Sequence, residues 1–359
     1  MKLQPLLKER VLYIDSEIVL SYKRGILICR RRKGENSSPE TADRCAIGAL
    51  SNKIPLLERF LRKEPRCAAR IDETGFIISF EGKVLYYDME KNEIAVEHRF
   101  DRGMNNPLSF LCESEAGTGK NDVIYGEYIW NTDRGPVSIY KRSGGKWQVV
   151  YSFPEKTITH IHNIVNDPYR KGYLVLTGDA DAESGIWFAD RSFRKVTPVL
   201  TGKQQYRSCA AYPTEDGFIY ATDTPLEENY VYHVVYDGKS VKKVLTEFAM
   251  PGPCIYSTMN GGAIYFSTSV EPDSSLPALR YRMTYKLGRG VHDRYSHIIR
   301  RTADGNYEEV LKLKKDILPM WAFQFGNVFF PQNETDELII VTQSLKAGHG
   351  YTFRLEQEK

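Results

Sequence analysis

A four-stranded unit recurs along this chain, and the recurrence limits the fold more tightly than any other feature of the sequence. In 205-QYRSCAAYPTEDGFIYATDTPLEENYVYHVVYDGKSVKKVLTEF-248 the order is strand, Glu-Asp-Gly turn, strand, acidic loop, strand, Asp-Gly turn, strand. The same order runs through ITHIHNIVND, GYLVLTGD, SGIWFAD and KVTPVL between residues 158 and 200. It returns in 253-PCIYSTMNGGAIYFSTSVEP-272, followed by a long insertion and then by SHIIRRTADGNYEEVLKL. Segment 66–100 is a minimal copy with tight turns; 108–153 and 9–60 supply two more. Runs of β-branched and aromatic residues lie between Gly, Asp, Asn and Pro turns, and helical periodicity is nearly absent, so the chain reads as all-β.

The last copy begins at 321-WAFQFGNVFF and stops after three strands. Residues 2–10, KLQPLLKER, resemble the fourth strands expected at KIPLLERF and KVTPVL, so the N-terminal strand is expected to complete the last sheet. Seven four-stranded blades of roughly 35 to 60 residues predict a β-propeller, its ring closed by pairing the two ends of the chain. Such closure leaves few free sheet edges. Six blades with an irregular N-terminal segment is the alternative. Residues 1–359 read as a single propeller domain, with 274–296 a long loop inserted over one face.

Composition narrows the partners. The net charge is only +3 and the longest basic tract is 30-RRRK-33, so nucleic acid is not an expected ligand. Aromatics make up 12% of the chain, with 23 tyrosines, a balance that suits β-sheet and also surfaces that stack on sugar rings. Six cysteines without a C-x-x-C pair read as small buried hydrophobes. With no apolar segment at the start and no long apolar run, the expected location is cytoplasmic, without a membrane span.

In a propeller, the loop into each innermost strand and the loop between the second and third strands rise on one face. That face is expected to gather Asn105, Asn106, His160, His162, Tyr206, Arg207 and Trp321 from the entry loops. The other loops add Glu127, Trp130 and Arg134, the run 179-DADAE-183, Glu227 and Glu228, and the insertion carrying Arg282. Short turns such as NDPYRKG, TEDG and DGKS occupy the opposite face, so the long loops mark the binding side.

The residue types point to an anionic sugar or glycan. Paired carboxylates supply the acid and base of glycoside cleavage. Arginine forks onto a carboxylate or phosphate. His160 or His162 is the expected acid–base, with Asp179, Asp181 or Glu183 as its carboxylate partner and Tyr206 beside them. Arg207 and Arg134 are the expected substrate clamps, with Glu127, Trp130, Asn106, Trp321 and Arg282 as further contacts. Each also has a structural reading: imidazoles bonded to neighbouring backbone, acids that cap their own loop, an insertion that is a solvated excursion. No cofactor is expected, although a divalent metal at His160/His162 or at Asp179/Asp181/Glu183 is a further reading. The acidic run lacks the glycine and distal glutamate of an EF-hand.

Two hairpins, 140-YKRSGGKW-147 and 186-IWFADRSF-193, are worn forms of an S-x-D-x-G-x-x-W motif. With 160-HIHNIVNDPYRKGYLVLTGDADAESGIWFAD-190 they give a chain that resembles the BNR (Asp-box) sialidase-like propeller proteins. The segments 266-FSTSVEP-272 and 314-KKDILPMWAFQFGNVFFP-331 are similar to parts of such proteins encoded with bacterial surface-polysaccharide genes. The resemblance implies a propeller, for which six blades is the sialidase norm, and a link to glycans. It does not imply sialidase activity, because the Phe/Tyr-Arg-Ile-Pro motif is missing and the arginine triad has no residue-by-residue match. Two functions are therefore expected: a carbohydrate-active propeller, hydrolase or lyase, or a non-catalytic scaffold for protein partners of a polysaccharide pathway.

Overall fold

The structure, a computed structural model, describes residues 1–34, 42–100, 102, 106–115 and 120–356. Seven sheets form the seven blades of a propeller, antiparallel except where the two-residue strand Gln332–Asn333 pairs in parallel with Tyr13 and Ile14 at the inner edge of the first. The first holds Arg10–Ile14, Ile18–Lys23, Ile26–Arg31 and Ala42–Ala46; the fourth holds His160–Asp167, Gly172–Gly178, Gly185–Asp190 and Val196–Thr201. In the seventh, Asn327–Phe329, Ile339–Gln343 and Tyr351–Glu356 come from the C-terminal end, and Lys2–Leu7 is the outermost strand. Lys2 lies opposite Glu356 and Leu7 opposite Thr352, so the two chain ends close the ring as the sequence predicts. The six-blade alternative falls away.

Packing repeats with the blades. Seven apolar clusters each bridge neighbouring blades, including one between the seventh and the first that joins Phe329, Ile339 and Val341 to Val11, Ile14 and Val19. Because neighbours cover both faces of each sheet, second strands such as Gly75–Phe80, Gly217–Thr222 and Ala263–Thr268 are buried at every residue. Outer strands such as Glu93–Arg99 alternate with solvent instead.

One sequence expectation is corrected. Residues 54–60 do not form the fourth strand of the first blade; that strand is Ala42–Ala46, and Pro55–Phe60 is a short helix. Pro55 sits in its first turn, where a preset φ and a missing N–H fit a helix start. In the last repeat Trp321 lies in the entry loop, as expected, and the innermost strand, which the repeat beginning at Trp321 left without a starting residue, begins at Asn327.

A register shift recurs at the start of four innermost strands, at Val11/Tyr13, Ile161/Asn163, Ser208/Ala210 and Cys254/Tyr256. Each is a bulge with one residue left out of the ladder, and such bulges re-aim side chains. In the fourth and fifth blades the extra residues are His162 and Cys209.

Candidate functional site

A cavity of about 700 Å³ opens on the face that carries the entry loops, and residues from all seven blades or their connections line it. Its wall holds four arginines, Arg10, Arg62, Arg66 and Arg207, and four carboxylates, Glu64, Asp179, Asp223 and Glu271. Tyr128, Trp130, Tyr256, Tyr281 and Trp321 supply rings.

The histidine pair lies behind Asp179. His160 Nε2 is 3.0 Å from His162 Nε2, and Asp179 Oδ1 is 3.2 Å from the latter and 3.5 Å from the former. The other ring nitrogens meet backbone, His160 Nδ1 at 3.3 Å from Ile129 O and His162 Nδ1 at 3.0 Å from Ser208 O. Tyr128 lies over His160, ring centres 4.6 Å apart. The turn after Gly172–Gly178 delivers Asp179 to this point, and Gly178 is required there: a Cβ would stand 2.4 Å from His162 Cε1.

Arg207 NH2 donates to Asp179 Oδ1 at 3.0 Å. Enclosure within the cavity works to raise the Asp179 carboxyl, but the Arg207 guanidinium, foremost among its neighbours, outweighs it and holds the group well below the usual carboxylate range. Its side chain is 49% exposed, so it opens to the solvent of the cavity rather than to the core.

Glu271 behaves in the opposite way. Burial and then the negative charge of Asp223 push its carboxyl up to about 8, so near neutral pH it is a carboxylic acid. Ser269 Oγ donates to it at 2.5 Å. Glu64 is occupied structurally: His349 Nε2 stands at 2.6 Å and Gln324 donates at 2.8 Å, and these with Arg10 overcome burial and bring it down to about 2.

Several lining atoms are left without a hydrogen bond, although Arg207 Nε stands 3.9 Å from Asp223 Oδ2. Among the described residues, Arg207 Nε, Asp223 Oδ1, Asn106 Oδ1 and Asn327 Oδ1 are buried without a hydrogen-bond partner. Arg66 donates to Asn106 O at 3.1 Å and lies 5.5 Å from the Tyr128 ring centre, and Arg62 donates to Trp321 O at 2.8 Å. Neither arginine forms an ion pair among the described residues.

Of the residues singled out in the sequence, His160, His162, Asp179 and Arg207 converge, and Trp130, Asn106 and Trp321 line the same cavity. Others lie outside it. Arg134 and Glu183 pair with each other, and Thr159 also donates to Glu183, so this buried acid ties two loops together. Glu127 accepts from Arg102 at 2.9 Å and from the Ser138 amide at 2.7 Å. Asp181 accepts from Gln204 at 2.9 Å, Tyr206 ends the short turn Gln204–Tyr206, and Arg282 lies 4.9 Å from the Trp321 ring centre. Asn105 is outside the described residues. Sequence reasoning passed over Asp223, Arg66, Arg62 and Arg10; Asp223 was legible as the first residue of 223-DTPLEEN-229, directly after a second strand, the same station that Asp179 holds in the preceding blade.

The insertion after the second strand of the sixth blade carries the short helix Ala278–Met283 and docks on the neighbouring loop. Asn229 Nδ2 donates to Gly290 O at 3.0 Å, and a Cβ on Gly290 would stand 1.9 Å from Glu227 O. Tyr281 from this insertion reaches the cavity.

Fold and site together define a seven-bladed β-propeller with a polar, ring-lined central cavity. No family model and no curated protein matches the sequence, so the Asp-box likeness of its hairpins rests on those residues alone. Solved structures match as folds. An oligogalacturonate lyase from Vibrio parahaemolyticus superposes with a TM-score of 0.55 at 10% identity, covering 99% of this chain and 91% of the other. The Cps50 (Swd1) β-propeller domain of Myceliophteria thermophila gives 0.52 at 9% identity over 98% and 97%. No described helix is long and apolar enough to cross a membrane.

Proposed function

We propose that the central cavity binds an acidic saccharide and that the protein cleaves a glycosidic bond in it. The observation that carries the reading is the set of lining groups with hydrogen-bonding capacity left over among the described residues: the Arg62 and Arg66 guanidiniums outside any described ion pair, and single buried polar atoms of Arg207, Asp223, Asn106 and Asn327. Guanidiniums take a carboxylate with two parallel hydrogen bonds, and the surrounding rings stack on sugar faces. Glu271, protonated near neutral pH, is the proton donor for the leaving glycosidic oxygen. Hydrolysis and β-elimination share that step; they differ in whether water or loss of a ring proton completes the reaction. A sialidase-like or a uronate-directed enzyme would each need this anion clamp. The propeller of similar fold from Vibrio parahaemolyticus is an oligogalacturonate lyase, which is in keeping with the reading.

A panel of uronate and sialylated oligosaccharides, with neutral ones as controls, tests it. Binding confined to acidic members, with new reducing ends formed, is the expected result; an unsaturated uronate product assigns elimination. Equal response to neutral and acidic sugars, or none to either, would overturn it.

One surface favours a second reading, a scaffold for protein partners. Leu50, Ile54, Leu56, Phe60 and Leu61 are large, apolar and exposed around the helix Pro55–Phe60, whose Phe60 reaches the cavity rim. Under that reading the saccharide panel stays silent, and polar substitution at Leu56 and Leu61 releases a protein partner recovered with the wild-type chain.

A further inference from the structure

We propose that His160, His162 and Asp179 form a binding site for a divalent first-row transition-metal ion. A carbonyl oxygen only accepts, so the contacts from His160 Nδ1 to Ile129 O and from His162 Nδ1 to Ser208 O place the ring proton on Nδ1 in both residues. Each neutral imidazole then presents a lone pair at Nε2. Those two lone pairs face each other at 3.0 Å, and a carboxylate oxygen stands 3.2 and 3.5 Å from them. Three electron-pair donors converge on one point, an arrangement that a cation between them would satisfy.

The spacing fits an ion. Bonds of about 2.0–2.1 Å from a tetrahedral metal to nitrogen and oxygen separate neighbouring ligand atoms by about 3.3 Å, within the observed range of 3.0–3.5 Å. Imidazoles held through Nδ1 by carbonyls are oriented as metal-bound histidines are. Two nitrogens and one oxygen in a tetrahedral spacing suit zinc better than calcium, magnesium or manganese, which favour oxygen shells. Three protein ligands leave a fourth position, and Asp179, which lines the cavity, sets it on the substrate side. Arg207 donates to the same Asp179 oxygen and so fixes its direction. The cation that competes for this position is a proton shared between the two imidazoles.

The inference is independent of the saccharide reading and is tested without any sugar. Full-length protein is stripped with a chelator and titrated with Zn²⁺ and with Mn²⁺ by calorimetry, and with Co²⁺ by its visible spectrum. One ion per chain is expected, with tetrahedral Co²⁺ bands and a rise in melting temperature. Asp179→Asn, which keeps an oxygen available to Arg207, is expected to weaken binding at least tenfold; His162→Gln, which can keep a donor near Ser208 O, is expected to abolish it. Absence of stoichiometric binding, or equal affinity in wild type and Asp179→Asn, would overturn the proposal and assign the pair to a shared proton.

Discussion

At the scale of single residues, the difference between Glu271 and Asp179 decides how the cavity responds to pH. Glu271 is raised from 4.5 to about 8. The folded state therefore keeps a proton that the unfolded chain releases, so its stabilising contribution is complete below about pH 4.5 and is lost as pH rises through about 8. The melting temperature of the wild type is expected to fall relative to that of Glu271→Gln between about pH 5 and pH 8. Parallel curves in thermal melts of the two proteins would show that Glu271 is ionised throughout. Arg134 tests the opposite kind of site. Its removal leaves Glu183 buried without a cation, so Arg134→Ala should cost about 1–3 kcal/mol in urea denaturation. Saccharide affinity should stay unchanged, because Arg134 pairs with Glu183 outside the cavity. The sequence could nominate both arginine and acid, since they lie on loops of one face, but only the folded loops reveal that each satisfies the other.

At the scale of elements, strands and turns were readable because their periodicity and punctuation are local. The inner H-x-H strand and the acidic loop beside it were placed correctly from spacing alone, and Asp179 does meet both histidines. What alternation could not show is the bulge at Ile161/Asn163, which depends on pairing with Gly172–Gly178 rather than on any residue type within HIHN. The stretch 53-KIPLLERF-60 misled for a related reason. Its apolar residues resemble those of an outer strand, yet Pro55 opens a helical turn and the true fourth strand, ADRCA, carries few strand-forming residues. Pairing with Ile26–Arg31 selects that strand against its own propensity. Gly178→Ala tests how tightly the element is fitted to the site. With a methyl directed at His162, a loss of about 1–3 kcal/mol is expected, together with a shift of the His162 ring signals in NMR. An unperturbed His162 spectrum would show that the turn has room to spare.

At the scale of the whole molecule, the ring depends on strand Lys2–Leu7, which completes the seventh blade. Leu3 packs against a cluster containing Phe353 and Leu355, so removing residues 1–7 exposes both that surface and a strand edge. The truncated chain is expected to melt several degrees lower, at about 2–4 °C per kcal/mol lost, and to scatter light on standing. An unchanged melt would mean that the ring holds without its closing strand. Closure was legible because the last repeat is one strand short, a global count that no local window contains. The cavity was legible only in part. Blade order predicts which loops meet, but the electrostatic balance of arginines and carboxylates emerges only when seven blades place them within reach.

That balance is the central claim, and calorimetric titration of one uronate oligosaccharide into wild type and Arg66→Gln tests it most directly. Saturable binding by the wild type, weakened tenfold or more by the substitution and lost for the neutral sugar of the same length, is the predicted result. Binding of equal strength to both proteins, or to the neutral and acidic sugars alike, would contradict it.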